Sequence, residues 1–479
     1  MTRAVLALDQ GSHASRACIY DQTGVLCAAH TLPVTTRHID ASHIEQDADE
    51  LLRSLQSAAQ AAVRMALQQR PQLQLVAAGL AVQRSTIVCC TRAGVPLSPA
   101  LSWQDRRNDS WLQTLAPYES RVREITGLPL SAHYGASKLR WCLEHLPAVS
   151  TAAQRADLLA APLASFLALR LGGGRDARID PANAARTLLW DSRQLDWSEE
   201  LLRLFALQRD WLPHCTHTHD DYGTLEIDGQ RLPLRALTGD QSAMPFASGA
   251  PDNDTLYVNL GTGAFIQRPL AARPPSPAPL LGSVLCSDAA GARYTLEGTV
   301  NGAGSAVSWF CASEKLDEAA LWEALETLTA TAPLPVFLNG VGGLGSPWWR
   351  AQFTPQFIGT GTALERFAAI IESIAFMIAS NAQLLARQAG PARALVLAGG
   401  MSRSGWLCRK LAVLLQLPIG VLESEASARG VAALAAPAWA THWSAGMARI
   451  HDPAAEPTLL ARYQLFQECL NTALQNSAR

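Results

Sequence analysis

The chain has 479 residues, of which 48 % are hydrophobic and 17 % charged, with 33 Gly and 27 Pro. That excludes a disordered or fibrous polypeptide and points to two domains rather than one. Thirty-nine Lys and Arg against 41 Asp and Glu leave a formal charge of −2, so no nucleic-acid partner is expected, while the apolar share leaves room for a homodimer or larger homo-oligomer.

In chain order, residues 4–8 (AVLAL) predict a strand ending at Asp9 and Gly11. Strands over 17–21 and 25–30 follow, separated by a Thr23-Gly24 turn. A long helix is predicted over about 47–69, where Leu51, Leu52, Leu55, Ala58, Ala62 and Val63 recur at helical spacing. Strands near 75–82, 86–90 and 99–103 come next. Helices are expected over 137–145, 151–157 and 160–169, then a polar connector through 230. This is a mixed α/β pattern and not strict βαβ alternation.

The pattern restarts at 255–260 (TLYVNL), which reaches Gly261-Thr262-Gly263 before a second strand over 264–267. Two domains of related design, 1–245 and 246–479, are expected, with the boundary near 243–253 and a cleft between them. Residues 359–386 predict an internal helix, because Glu372 interrupts its apolar run AAIIESIAFMIA. ALVLA (394–398) predicts a strand running into Gly399-Gly400, and helices are expected over 404–415, 426–436 and 457–474.

The N-terminal apolar run is five residues long and no uncharged apolar run approaches ~18 residues, so neither a signal peptide nor a membrane partner is expected. Ten scattered cysteines read as free thiols in a reducing, cytoplasmic setting, with Cys89-Cys90 in a buried strand.

Asp9 with Gly11 sits where a carboxylate at a strand end holds a divalent ion or its waters near phosphate. Gly261-Thr262-Gly263 offers N–H groups and a hydroxyl to anionic oxygens, and Gly399-Gly400 permits close approach of a base or ribose. No P-loop is present, and no Rossmann dinucleotide-binding unit is expected. Asp240, between Gly239 and a helix start, is either a helix cap or a general base for a substrate hydroxyl. His214, Cys215, His217, His219 and Asp220 match no structural zinc spacing and read as a surface cluster. No G-x-S-x-G elbow supports a hydrolase.

The ordered set LALDQGSHASR (6–16), HIEQDADELL (43–52), VQRSTIV (82–88), WQDRR (103–107), GLPLSAHYGASKLRW (127–141), DPANAARTLLWDSRQLDW (180–197), TGDQSA (238–243), NLGTGAFI (259–266), GVGGLGSPWW (340–349), LAGGMSRSGWL (397–407) and SEASARGVAALA (424–435) resembles the FGGY family of carbohydrate kinases. Within it the glycerol kinases are most similar. The resemblance implies two ribonuclease-H-like domains of the actin and sugar-kinase type, with ATP and a small polyol or sugar meeting in the cleft.

It further implies that Asp9, with Asp240, associates with Mg²⁺. Gly11, Ser12 and His13 would form the first phosphate turn, with Arg16 near the transferred phosphate. Gly261, Thr262 and Gly263 would form the second turn, and Gly399, Gly400 and Ser404 would line the adenosine segment. Asp240 would be the catalytic base and Gln241 a substrate contact. Arg84, Trp103 and Phe265 would line the acceptor pocket. Ser85 replaces the glutamate that normally follows the arginine, and His133 replaces the pocket tyrosine. The loss of a carboxylate beside Arg84 is expected to leave it less neutralised and to favour an acidic or larger acceptor: a pentulose, a tetritol or a sugar acid. A non-catalytic nucleotide-binding regulator on the same fold is the rival from another class.

Overall fold

The computed structural model describes residues 2–174, 176–275, 277–328, 333–422, 425–443 and 446–476. The first half is built on a six-stranded sheet with the order Thr224–Ile227, Gln230–Gly239, Gln74–Val82, Arg3–Gln10, Ala14–Asp21, Leu26–Pro33. Arg3–Gln10 pairs antiparallel with Ala14–Asp21 and parallel with Gln74–Val82, which in turn runs parallel to Gln230–Gly239. The helix Ala48–Gln69 covers one face. Asp47 caps it by accepting from the N–H groups of Asp49 and Glu50, and Leu51, Leu55, Ala58, Ala62 and Val63 turn inward.

The second half repeats this strand order. Thr255–Leu260 pairs antiparallel with Ala264–Leu270, which pairs antiparallel with Gly291–Val300; on its other edge Thr255–Leu260 runs parallel to Ala394–Ala398, followed by Ile419–Leu422. The related design expected from the two glycine-ended strands is therefore a shared sheet pattern. Behind this sheet lies the helix Ala363–Ala389, opened by a Thr362/Glu365 capping box. It is long and apolar enough to span a membrane, yet its most apolar stretch is 89 % buried within the protein. Its Glu372 is buried against Arg462, whose Nε donates at 2.8 Å.

One expectation needs correction. The stretch read as a polar connector through 230 holds the strand Thr224–Ile227 and leads into Gln230–Gly239, an inner strand of the first sheet. Asp228 and Gly229, both at positive φ, make the two-residue hairpin turn between them. Alternation in TLEI with an Asp-Gly pair was the signal for it.

The halves are joined by more than the chain. Ala428, Val431 and Ala432 of the helix Ala426–Ala435 pack with Val5, Ala7, Cys18 and Ala81 of the first sheet. Small side chains let that helix lie close. Residue 424 of the family-like segment 424–435 lies outside the described residues. The accessible surface, 19,238 Å², exceeds the roughly 17,000 Å² of a compact chain of this length, as a two-lobed body requires. All ten cysteines are free, and Cys89 and Cys90 are buried in the strand Ile87–Thr91.

Candidate active site

Two strand ends of the first sheet deliver acids to one place. Asp9 sits one residue from the end of Arg3–Gln10, and Asp240 begins the four-residue helix that follows Gln230–Gly239. Asp9 Oδ2 accepts from Arg16 Nη1 at 3.2 Å, and the same nitrogen reaches Glu425 Oε2 at 2.8 Å. Burial pushes the Asp9 carboxyl up to about 7; Arg16 opposes this, while the charges of Asp240 and Glu425 add to it. Asp9 and Asp240 are thus close enough to repel each other.

Asp240 is also raised, chiefly by burial, against the pull of Arg84 and Arg186. Its Oδ1 accepts from the Gln241 N–H at 2.7 Å, while Oδ2 has only a long 3.5 Å contact with Gln241 Nε2. One oxygen is anchored and the other is left to take a proton. The cap reading is not met: Gly239 is the N-cap of the short helix, no side chain caps it, and Oδ1 accepts only from the adjacent N–H.

Arg84 departs from expectation. Its Nη1 and Nη2 donate to Glu297 Oε1 and Oε2 at 2.9 and 3.1 Å, and Arg186 Nη2 also bonds Oε2. Glu297 is fully buried on the strand Gly291–Val300. Burial would raise its carboxyl, but Arg186 and Arg84 hold it down at about 2. The reading that Ser85 leaves Arg84 less neutralised is therefore overturned, because a carboxylate from the second half of the chain supplies the charge. Sequence reasoning missed Glu297 and Arg186. A lone acid inside the apolar alternation TLEGTV was the available sign.

Ser85 itself is buried at φ +66°, and its Oγ has no hydrogen-bond partner among the described residues. Lys138, fully buried, donates to the backbone carbonyls of Ser85 (3.1 Å), Ser102 (2.7 Å) and His133 (2.9 Å). Burial pushes its amine well below the ordinary lysine range. The His133 ring lies 5.6 Å from Trp103 and 5.0 Å from Tyr134, both edge-on. Burial, then the cations Arg106, Lys138, Arg186 and Arg84, hold His133 well below its usual pKa, so it is neutral. Lys138 thus ties the backbone of Ser85, Ser102 and His133 together, and Arg84 and Trp103 are the chain neighbours of the first two.

Other expected residues have narrower duties. Ser12 Oγ donates to Gln83 Oε1 at 2.7 Å and accepts from Trp103 Nε1 at 2.9 Å, so its side chain turns into the first lobe instead of outward with the phosphate turn. Gly11 closes that turn through its N–H to the Ala14 carbonyl at 3.0 Å, and His13 is exposed. Gln241 Oε1 accepts from Asn259 Nδ2 at 3.1 Å, and its carbonyl accepts from Gln267 Nε2 at 2.7 Å, so it ties the two halves together. Phe265 pairs with Thr299 and Gln267 with Glu297, which puts all four on the sheet face that carries Glu297 to Arg84.

Gly261 and Thr262 are exposed at the head of the helix Gly304–Glu314, their carbonyls accepting from the N–H groups of Ala303, Gly304 and Ser305. Gly263 follows at the start of the returning strand. Gly399, at φ +94°, passes so near the Leu260 carbonyl that a Cβ would lie 2.3 Å from its oxygen; Gly400 is open. Ser404 differs from expectation: its Oγ caps the helix Gly405–Leu415 through the Leu407 N–H and donates to Glu326 Oε1 at 2.9 Å, so it does not face a ligand. The His214–Asp220 cluster is likewise occupied, with His217 Nδ1 on Ser287 Oγ at 3.2 Å and Asp220 on Arg178 at 3.4 Å.

No group of three or more His, Cys, Asp or Glu that could hold a metal occurs among the described residues. Magnesium needs no such cage, since one or two carboxylates plus substrate phosphates hold it. Asp9 and Asp240, each destabilised as an anion by burial, fit that donor set.

Two lobes with one strand order, glycine turns at strand ends and acids converging between them define a bilobal phosphoryl-transfer fold. The comparisons agree. The N-terminal domain of the FGGY family of carbohydrate kinases matches residues 4–258, and its C-terminal domain matches residues 256–439. The glycerol kinase of Dechloromonas aromatica is 32 % identical over 453 residues, covering 90 % of this chain and 88 % of that protein. The structure of Plasmodium falciparum glycerol kinase with ADP superposes with a TM-score of 0.88 at 20 % identity, covering 99 % of this chain and 98 % of that one. That of xylulose kinase from Rhodospirillum rubrum gives 0.85 at 19 % identity, with both chains fully covered. The chain belongs to the FGGY family of carbohydrate kinases and is an ATP-dependent kinase acting on a small polyol or sugar.

Proposed function

We propose that this kinase phosphorylates a hydroxyl of a small polyol, glycerol being the first candidate, between ribonuclease-H-like lobes spanning 1–245 and 246–479. The acceptor lies on the wall formed by Arg84, Ser85, Trp103 and His133, with Phe265 opposite. ATP lies along Gly261–Gly263 and Gly399-Gly400. Asp240 Oδ2 takes the acceptor proton as its oxygen bonds the γ-phosphorus and the bond to the β–γ bridging oxygen breaks, releasing ADP. Arg16 stands beside Asp9 to meet charge on the transferring group. Mg²⁺, when held by Asp9 and Asp240, supplies charge neutralisation on the phosphates.

The observation that carries this reading is the raised, half-anchored carboxylate of Asp240 beside both Arg84 and Asp9. ADP release measured across polyols, pentuloses and sugar acids tests it. Asp240→Asn should lower acceptor-dependent turnover by about 10²–10⁴ while ATP still binds; undiminished turnover removes Asp240 from the role of base.

A second reading keeps the chemistry and enlarges the acceptor. The unpartnered Oγ of buried Ser85 favours it, since a serine leaves room and a hydrogen-bonding atom where a longer carboxylate would stand. Product analysis separates a pentulose, tetritol or sugar acid from glycerol. The ten free thiols support a cytoplasmic setting.

A further inference from the structure

Glu297 reaches the acceptor side of the molecule from the other half of the chain, on a hairpin that is fastened to the first lobe. Thr218 N–H donates to the Ser287 carbonyl at 3.1 Å, Gly282 N–H to the Gly127 carbonyl at 3.0 Å, and Tyr294 Oη to the Ser192 carbonyl at 3.2 Å. The strand bearing Glu297 is therefore a fixed part of the acceptor wall. Its carboxylate is fully buried and takes three guanidinium hydrogen bonds, a bidentate fork from Arg84 and one from Arg186.

Four charges act on one another here, with Asp9 beyond them repelling Asp240. Arg84 and Arg186 carry two positive charges, and Glu297 and Asp240 two negative ones. Both guanidiniums act on Asp240, but the described hydrogen bonds of their terminal nitrogens run mainly to Glu297 and none runs to Asp240. Without the Glu297 charge, the nearest remaining anion for two buried guanidiniums is the base itself. An Arg84–Asp240 ion pair would both occupy the proton-accepting oxygen and turn Arg84 away from the acceptor.

Resting on the assignment of Asp240 as base, we propose that Glu297 is a positioning residue that holds Arg84 and Arg186 off Asp240, keeping the base free and Arg84 turned to the acceptor hydroxyls. Glu297 touches no reacting atom. It acts through the two arginines, and neither the acceptor nor ATP need contact it.

The test compares Glu297→Gln and Glu297→Asp with the wild-type kinase, using glycerol, or whichever panel compound gives the fastest ADP release, as acceptor. For Glu297→Gln we expect kcat/KM for the acceptor to fall at least about tenfold, with KM for ATP within about twofold of wild type. Glu297→Asp, which keeps the charge, should recover most of kcat/KM for the acceptor. A residue that served only the fold would weaken acceptor and ATP parameters together and show no recovery in Glu297→Asp, and that result overturns the proposal. The crystal structure of Glu297→Gln decides the matter without any acceptor: Arg84 turned onto Asp240 supports it, and Arg84 unmoved overturns it. If Glu297→Gln does not fold, the double variant Glu297→Gln/Arg186→Gln, which removes one buried cation with the buried anion, gives the Arg84 readout: Arg84 turned onto Asp240 supports the proposal and Arg84 unmoved overturns it. A wild-type protein inactive on every acceptor would overturn the kinase reading of the site, while the variant structure would still decide the role of Glu297.

Discussion

The stem of Arg84 fills the space in which residue 239 would carry a side chain: a Cβ on Gly239 would lie 2.5 Å from Arg84 Cγ and 2.6 Å from Cδ. The glycine before Asp240 is thus required by the stem of Arg84, not by its own backbone, whose φ of −77° suits any residue. Gly239→Ala should push Arg84 off its fork with Glu297. We expect KM for the acceptor to rise about tenfold or more, with a smaller change in KM for ATP, measured by initial rates.

Asp9 is a strained anion in the unliganded protein. Its carboxyl titrates at about 7 when folded against 3.8 as the reference, so the folded state holds the extra proton between these values. Stability therefore falls as pH rises from about 4 to about 7. Asp9→Asn removes that fall: thermal melts without nucleotide should match wild type below about pH 4 and lie about 2 °C or more above it at pH 8. The same variant should need more Mg²⁺ for turnover. Equal melting temperatures at pH 8 would contradict the buried-charge account.

Lys138 gathers three carbonyls at the proposed acceptor wall, and one of them belongs to Ser85 at φ +66°. Such a backbone conformation persists in a residue with a side chain only when its surroundings hold it. Lys138→Met should release it. KM for the acceptor should rise about tenfold, with ATP binding by calorimetry unchanged within about twofold.

Ser404 and Gly399 lie close in sequence and should behave oppositely. Ser404→Ala loses a helix cap, at about 1 kcal/mol of stability with little change in KM for ATP. Gly399→Ala places a methyl group 2.3 Å from the Leu260 carbonyl oxygen at a positive φ, so it should disturb the nucleotide side directly and raise KM for ATP. Denaturant melts and nucleotide titrations of both variants check this pair.

Local signals in the sequence were legible where a segment's neighbours in sequence are also its neighbours in space. The strand ending at Asp9, the helix Ala48–Gln69 and the buried Ala363–Ala389 follow from periodicity and caps, and the structure places each within a few residues. Gln230–Gly239 was harder to read: its mixed polar residues suit a strand only because Gln74–Val82 lies beside it. Among the candidate residues, Ser12 and Ser404 have the hydroxyl a ligand contact needs, but Trp103 with Gln83, and Leu407 with Glu326, engage those hydroxyls.

The ordered motifs by themselves determined the family, the paired acids and the glycine turns, since residue type and local spacing suffice for each. Only the tertiary structure decided what faces Arg84. Glu297 lies 213 positions away in sequence, and no local pattern encodes which of many acids the packing of two lobes will bring to a buried guanidinium. A charge excluded from water is governed by its neighbours in space, and those are set by the fold as a whole.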